Sequence, residues 1–114
     1  MEECLFCRMV AGEIKPGTVY EDDEILAFHD INPQAPLHVL VIPKRHIATT
    51  NDLTDDDAGL MGRLVLAARK IAVDEGVDEA GYRLVINCNA GAGQSVFHVH
   101  VHLLGGRRLG WPPG

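Results

Sequence analysis

The sequence predicts an α+β fold, a mainly antiparallel five-stranded sheet with one long helix and a short N-terminal helix, assembled as a homodimer. Three observations carry this. Short β-prone runs, separated by acidic or proline-rich turns, precede a single long stretch of 3.6-residue apolar periodicity. Two further β-prone runs follow it. The periodic stretch is apolar around more of its circumference than one sheet covers, so a second copy of the chain is expected on its outer side.

Residues 4–12 (CLFCRMVAG) read as a short helix closed by Gly12. Thr18–Glu21, Ile25–Asp30 and Val39–Ile42 are β-prone. Asp22-Asp23-Glu24 forms a solvated turn between the first two, and residues 31–37, rich in proline, form a shaped loop before the third. Thr54 with Asp57 has the spacing of a capping box. Leu60, Leu64, Ala67, Ala68 and Ile71 then mark one helical face, Met61, Val65, Leu66, Ala72 and Val73 widen it, and Gly76 stops it. Tyr82–Cys88 and Val96–Leu104 supply the last two strands, joined by the loop Asn89–Ser95. A chain of 114 residues with 46% apolar content is expected to form one domain, residues 1–114.

The net charge is −6, with 10 Lys and Arg against 16 Asp and Glu, so the basic footprint a polynucleotide requires is missing. A single nucleotide in a local pocket remains compatible. No apolar run reaches the roughly 20 residues of a membrane span. The acidic start Met1-Glu2-Glu3 is unlike a basic secretory leader, which places the protein in the cytoplasm. Three cysteines, Cys4, Cys7 and Cys88, are an odd count that argues against a disulfide scaffold and toward metal or redox chemistry for the Cys4–Cys7 pair. Cys88 reads as a small core residue.

The chemistry concentrates in His98-Val99-His100-Val101-His102-Leu103-Leu104. On an extended chain alternate side chains share a face, so the three imidazoles project to one side and the apolar residues to the other. One zinc shared by all three is excluded by reach: His98 and His102 lie about 13 Å apart along a strand at about 3.3 Å per residue, against Zn–N bonds of about 2.0–2.1 Å. Adjacent members could share a metal. A row of this kind suits nucleophilic attack on phosphorus, in which one ring nitrogen attacks unprotonated and the other is fixed by an acceptor. Upstream, Asn87 to Ser95 is a Gly/Ser loop whose small residues let backbone N–H groups approach a phosphate. It is not a Walker A loop, because no Gly-Lys-Ser/Thr follows.

The run Gly93-Gln94-Ser95-Val96-Phe97-His98-Val99-His100-Val101-His102 resembles the defining motif of the histidine-triad family, specifically its Hint branch. Ala27 to Pro36, Val41 to His46, and the terminal Gly105-Gly106 and Trp111-Pro112-Pro113-Gly114 extend the similarity over nearly the whole chain. The third triad member is histidine, where transferase relatives carry glutamine, which favours the hydrolase branch. The resemblance implies a homodimer that hydrolyses purine nucleoside 5′-phosphoramidates and related AMP conjugates, with catalysis centred on His100, His102, His38 and Ser95. His100 would form the nucleotidyl intermediate, with His102 and His38 flanking the phosphate. Asn87, Gly93 and Ser95 would contact the phosphate and leaving group, and Asp30 the ribose. Leu5, Phe6, Met9, Phe28, His29 and Ile31 would form the base slot. It also implies a structural zinc on Cys4, Cys7, His46 and His98, dispensable for chemistry, and a C-terminal tail reaching the partner's site. A nucleotide-binding adaptor with incidental catalysis is the alternative.

Overall fold

The computed structural model describes residues 3–114; Met1 and Glu2, which open the acidic start, lie outside the described residues. Helix α1 spans Leu5–Val10 and α2 spans Ala58–Asp74. The strands are β1 (Thr18–Glu21), β2 (Ile25–His29), β3 (Leu37–Pro43), β4 (Tyr82–Val85) and β5 (Val101–Gly105). They form one antiparallel sheet in the order β1-β2-β3-β5-β4.

The pleat divides each strand between two layers. Ile25 and Ala27 of β2, Leu37, Val39 and Val41 of β3, and Val101 and Leu103 of β5 pack with Leu64, Ala68 and Ile71 of α2. Leu26 and Phe28, with Leu40 and Ile42, pack on the opposite face with Phe6 of α1. Covered on both sides, β3 is buried at every position, so its apolar run hardly alternates. Across the sheet Phe28 faces Leu40, and Leu40 faces His102, which places the histidines on the α1 side.

The short elements are held by specific contacts. Cys4 caps α1, its sulfur accepting from the Cys7 backbone N–H at 3.3 Å. Asp22 Oδ1 accepts from the backbone N–H groups of Glu24 and Ile25, each at 2.8 Å, which makes the expected acidic turn. Thr54 N–H donates to Asp57 at 2.9 Å, closing one 3₁₀ turn (Asp55–Asp57) before α2 begins, and Arg45 pairs with the same carboxylate.

The strand boundaries differ most from those expected at β3, β4 and β5. The stretch expected as Val96–Leu104 is a strand only from Val101, so His98 and His100 precede β5. The cause is Pro43: continuing the β3–β5 register would set it opposite Val99, where it has no N–H to give. Val99 N–H donates instead to Ile47 O at 2.7 Å, and its side chain still packs inward on Ile47 and Leu60. The alternation therefore survives without the ladder. The run Tyr82–Cys88 is a strand only to Val85, leaving Asn87 and Cys88 on the connection. Conversely, β3 begins at Leu37 and takes in His38. Cys88 is half-buried, not a core residue, and a hydrogen bond from the Thr50 side chain holds its thiol below the usual range.

No helix among the described residues is long and apolar enough to cross a membrane.

Candidate functional site

A cavity of about 450 Å³ opens between α1 and the sheet, lined by Leu5, Phe6, Met9, Phe28, His29, Asp30, Ile31, Ser95, His100 and His102 among others. All of the residues expected at the base slot are there, with the expected ribose contact Asp30. Ile31 is 95% exposed and stands at the mouth. Ile14, Lys15 and Leu40 also line the cavity and were not singled out from the sequence; they lie on a loop and a core strand with no motif to mark them. His38 sits behind His102, and Asn87 and Gly93 lie on the connection leading to Ser95, not on the cavity wall.

Backbone groups determine where each imidazole carries its proton. His100 Nδ1 lies 2.7 Å from the carbonyl of His98. A carbonyl only accepts, so Nδ1 holds the hydrogen and Nε2 is left with a free lone pair. Gln34 N–H donates to His38 Nδ1 at 3.0 Å, so the His38 proton is on Nε2. That atom lies 2.9 Å from His102 Nδ1 and 3.4 Å from Asp30 Oδ2. His102 Nδ1 then accepts, and its own hydrogen is on Nε2. His98 Nε2 donates to Pro43 O at 2.7 Å, leaving its Nδ1 bare.

Burial lowers the pKa of all four rings. It is the first cause for His38, His98 and His100, and at His102 burial plus the neighbouring His100 and His38 brings the value down to about 4. His100 is therefore neutral at pH 7, with one nitrogen available as a nucleophile.

The loop before the triad is fixed by Gln94, a buried residue of the triad motif to which the sequence alone assigns no role. Its Oε1 accepts from Asn89 N–H at 2.7 Å, and its Nε2 donates to Ala48 O at 2.8 Å and Val96 O at 3.1 Å. A glutamine amid glycine, alanine and serine was the available signal. Asn89 turns the chain into this loop with φ 68° and ψ 172°, outside the left-handed helical well and in a strained region that normally requires glycine.

On the far side of α1, Cys4, Cys7, His46 and His98 converge, with all donor atoms within 4.8 Å of one another. Cys4 Sγ to His98 Nδ1 is 3.4 Å, Cys7 Sγ to His46 Nδ1 3.2 Å, Cys7 Sγ to His98 Nδ1 3.5 Å, and His46 Nδ1 to His98 Nδ1 3.3 Å. Tetrahedral zinc with bonds of about 2.0–2.3 Å sets its ligands about 3.3–3.8 Å apart. The set fits, and the bare Nδ1 of His98 is aimed into it. The triad thus divides: His98 faces the sulfurs while His100 and His102 face the cavity, in keeping with the exclusion of one ion shared by all three. The other close group, Asp30, His38 and His102, is joined by the proton on His38 Nε2.

A five-stranded antiparallel sheet with neutral imidazoles, their tautomers set by backbone groups, under a largely apolar cavity defines a protein that presents a histidine nitrogen to a bound ligand. The chain belongs to the histidine-triad family: the HIT domain model matches residues 11–109. It is 49% identical over 109 residues to the purine nucleoside phosphoramidase of Escherichia coli, covering 96% of this chain and 92% of that protein. It is 50% identical over 113 residues to an uncharacterized HIT-like protein of Synechococcus elongatus, covering 99% and 98%. The crystal structure of a HIT family hydrolase from Legionella pneumophila superposes with a TM-score of 0.97 at 57% identity, covering 98% of this chain and all of that one.

Proposed function

We propose that this protein hydrolyses purine nucleoside 5′-phosphoramidates and related AMP conjugates through a covalent nucleotidyl-His100. The observation that carries this is the His100 Nδ1–H bond to His98 O, which leaves Nε2 unprotonated on the cavity wall. The 49% identity to a purine nucleoside phosphoramidase supports the substrate class.

In this reading the base lies among Leu5, Phe6, Met9, Phe28, His29 and Ile31, and Asp30 accepts from the ribose hydroxyls. His102 Nε2–H, backed by His38, polarises a phosphate oxygen, and Asn87, Gly93 and Ser95 serve the phosphate and leaving group. His100 Nε2 attacks phosphorus as the P–N bond to the amine breaks. The amine keeps the electron pair and departs with a proton drawn from solvent past Ser95. Water then attacks phosphorus, the bond to Nε2 breaks, AMP leaves and one proton returns to solvent. Zinc on Cys4, Cys7, His46 and His98 would fix structure and stand apart from the reacting atoms.

Steady-state turnover of adenosine 5′-phosphoramidate tests the reading. Release of AMP supports it. Tight AMP binding without turnover would point to the adaptor instead. Asp30→Ala is expected to weaken AMP by about 1.5–3 kcal/mol, the worth of a hydrogen bond to a charged group. A 2′,3′-dideoxy analogue should bind wild type and variant alike; a penalty that persists with it removes Asp30 from the ribose.

The homodimer is part of the same reading. Val65, Leu66 and Val73 of α2 are 42%, 59% and 45% exposed, an apolar outer face that a second copy of α2 would cover. The tail runs along its own chain first: Arg107 Nε donates to Gln34 O at 3.0 Å, and Arg83 Nη2 to Gly110 O at 2.8 Å. Trp111, beyond them, is 83% exposed and free to meet a partner's site. Sedimentation at micromolar concentration should give a dimer. Deletion of residues 107–114 should leave the dimer intact but change relative rates among substrates with different leaving groups. A monomer, or unchanged selectivity, would count against the respective claim.

A further inference from the structure

We propose that Cys4, Cys7 and His46 are positioning residues of the nucleotide cavity: a metal ion held by them with His98 clamps α1 in place as the wall of the base slot, and so sets nucleotide affinity. The inference rests on the nucleotide reading above and concerns what the Cys/His cluster does for it.

Helix α1 has six residues, far below the length at which a helix is stable by itself, so its position depends on what ties it down. One face supplies Leu5, Phe6 and Met9 to the cavity. Its N-terminal turn supplies Cys4 and Cys7 to the cluster, whose other two members come from distant chain, His46 after β3 and His98 before β5. Within α1 only Phe6 is buried, edge-on to Phe28, His98 and His100 with ring centroids 5.4, 5.8 and 5.2 Å away. Met9 and Val10 pack, partly buried, on the same apolar layer, so the cluster is a further anchor of a wall that has only one fully buried side chain of its own.

The two sites are also neighbours in space. An open cleft of about 460 Å³ beside Cys4 and His46 shares Leu5, Ser95 and Val96 with the nucleotide cavity. The partition between them is a single layer of side chains. A displacement of Cys4 on losing the ion is carried directly into Leu5 and the cavity.

The hydrogen bonds that orient the nucleophile do not pass through the ion, while the Phe6 ring is what joins α1 to His100. His98 is tied through Nε2 to Pro43 O and, by its carbonyl, to His100 Nδ1; neither contact uses the cluster-facing Nδ1. Loss of the ion should therefore change binding far more than the chemical step.

The test uses wild-type protein loaded with zinc, the same protein after chelation and gel filtration, and the chelated protein reloaded with zinc. Zinc content, AMP affinity by calorimetry, amide hydrogen exchange over residues 5–11, and KM and kcat are measured on each. One zinc per chain is expected in the loaded forms. Chelation should weaken AMP and raise KM by at least about tenfold, a change of 1.4 kcal/mol. It should speed exchange in α1, alter kcat less than about threefold, and be reversed by zinc. Cys7→Ser, if it folds, should match the chelated form without responding to zinc. Equal AMP affinity in loaded and chelated protein, with zinc bound, overturns the clamp and leaves the nucleotide reading standing. Absence of zinc binding also overturns the clamp. Failure of every form to bind AMP overturns both.

Discussion

Replacement of His100 by alanine is expected to reduce turnover of adenosine 5′-phosphoramidate by at least about a thousandfold, which is about 4 kcal/mol of barrier. The size follows from what is removed. Among the imidazoles whose pKa burial lowers, no other has the same disposition: His102 points its hydrogen-bearing Nε2 outward, His38 lies behind it, and His98 turns to the sulfurs. AMP affinity should change little, because the base contacts of Leu5, Phe6, Met9 and Phe28 and the Asp30 carboxylate stay in place. His100 is 6% exposed and edge-on to Phe6, so some stability will be lost, and the comparison is valid only while the variant still binds AMP. Rapid quench into alkali of substrate labelled in the phosphate should trap label on wild type and none on the variant. A His100→Ala protein with more than a few per cent of wild-type turnover would remove the covalent route.

Sequence and structure agree where a periodic pattern met a face. The α2 stripe Leu60, Leu64, Ala67, Ala68 and Ile71 is buried, and the alternation of histidine with valine does sort rings from core residues. What the pattern could not give was the ladder. Period two reports the extended course of residues 96–104 but not whether neighbours hydrogen-bond to it, and Pro43, distant in sequence, ends the pairing at Val101. The proton positions were equally out of reach. They follow from the carbonyls of His98 and Pro43 and the amide of Gln34, backbone groups that leave no mark in residue type. The C-x-x-C pair could be read as half a metal site; its completion by His46 and His98, proposed on the family resemblance, matches what the folding of two distant segments brings together.

The imidazoles that make the site also make the protein sensitive to acid. His102 has an ordinary value of 6.5 when unfolded and one of about 4 when folded, lowered first by burial and then by His100 and His38. Between those values the unfolded chain holds a proton that the folded one does not, so stability rises with pH across that range. Read downward, the folded state begins to lose stability as pH falls through about 6.5 and has lost the whole His102 contribution by about 4. The full shift corresponds to about 3 kcal/mol; because His102 is only partly buried, solvent screening brings the expected loss nearer 1–2 kcal/mol. His38 shifts in the same direction and adds to it. The carboxylates act in a separate window. Asp22, held low by Tyr20, and Asp57, held low by Thr54 and Arg45, contribute stability that is present above their unfolded values and lost only as pH falls through their depressed folded ones. Urea unfolding at pH 7.5, 5.5 and 4.5 should therefore show a loss beginning well above the carboxylate range. His102→Gln keeps a hydrogen-bonding side chain but removes the titration, and it should lose about 1–2 kcal/mol less than wild type over that interval. Equal losses in the two proteins would show that His102 is not held neutral by the fold, and the assignment of its Nε2–H as a donor to phosphate would go with it.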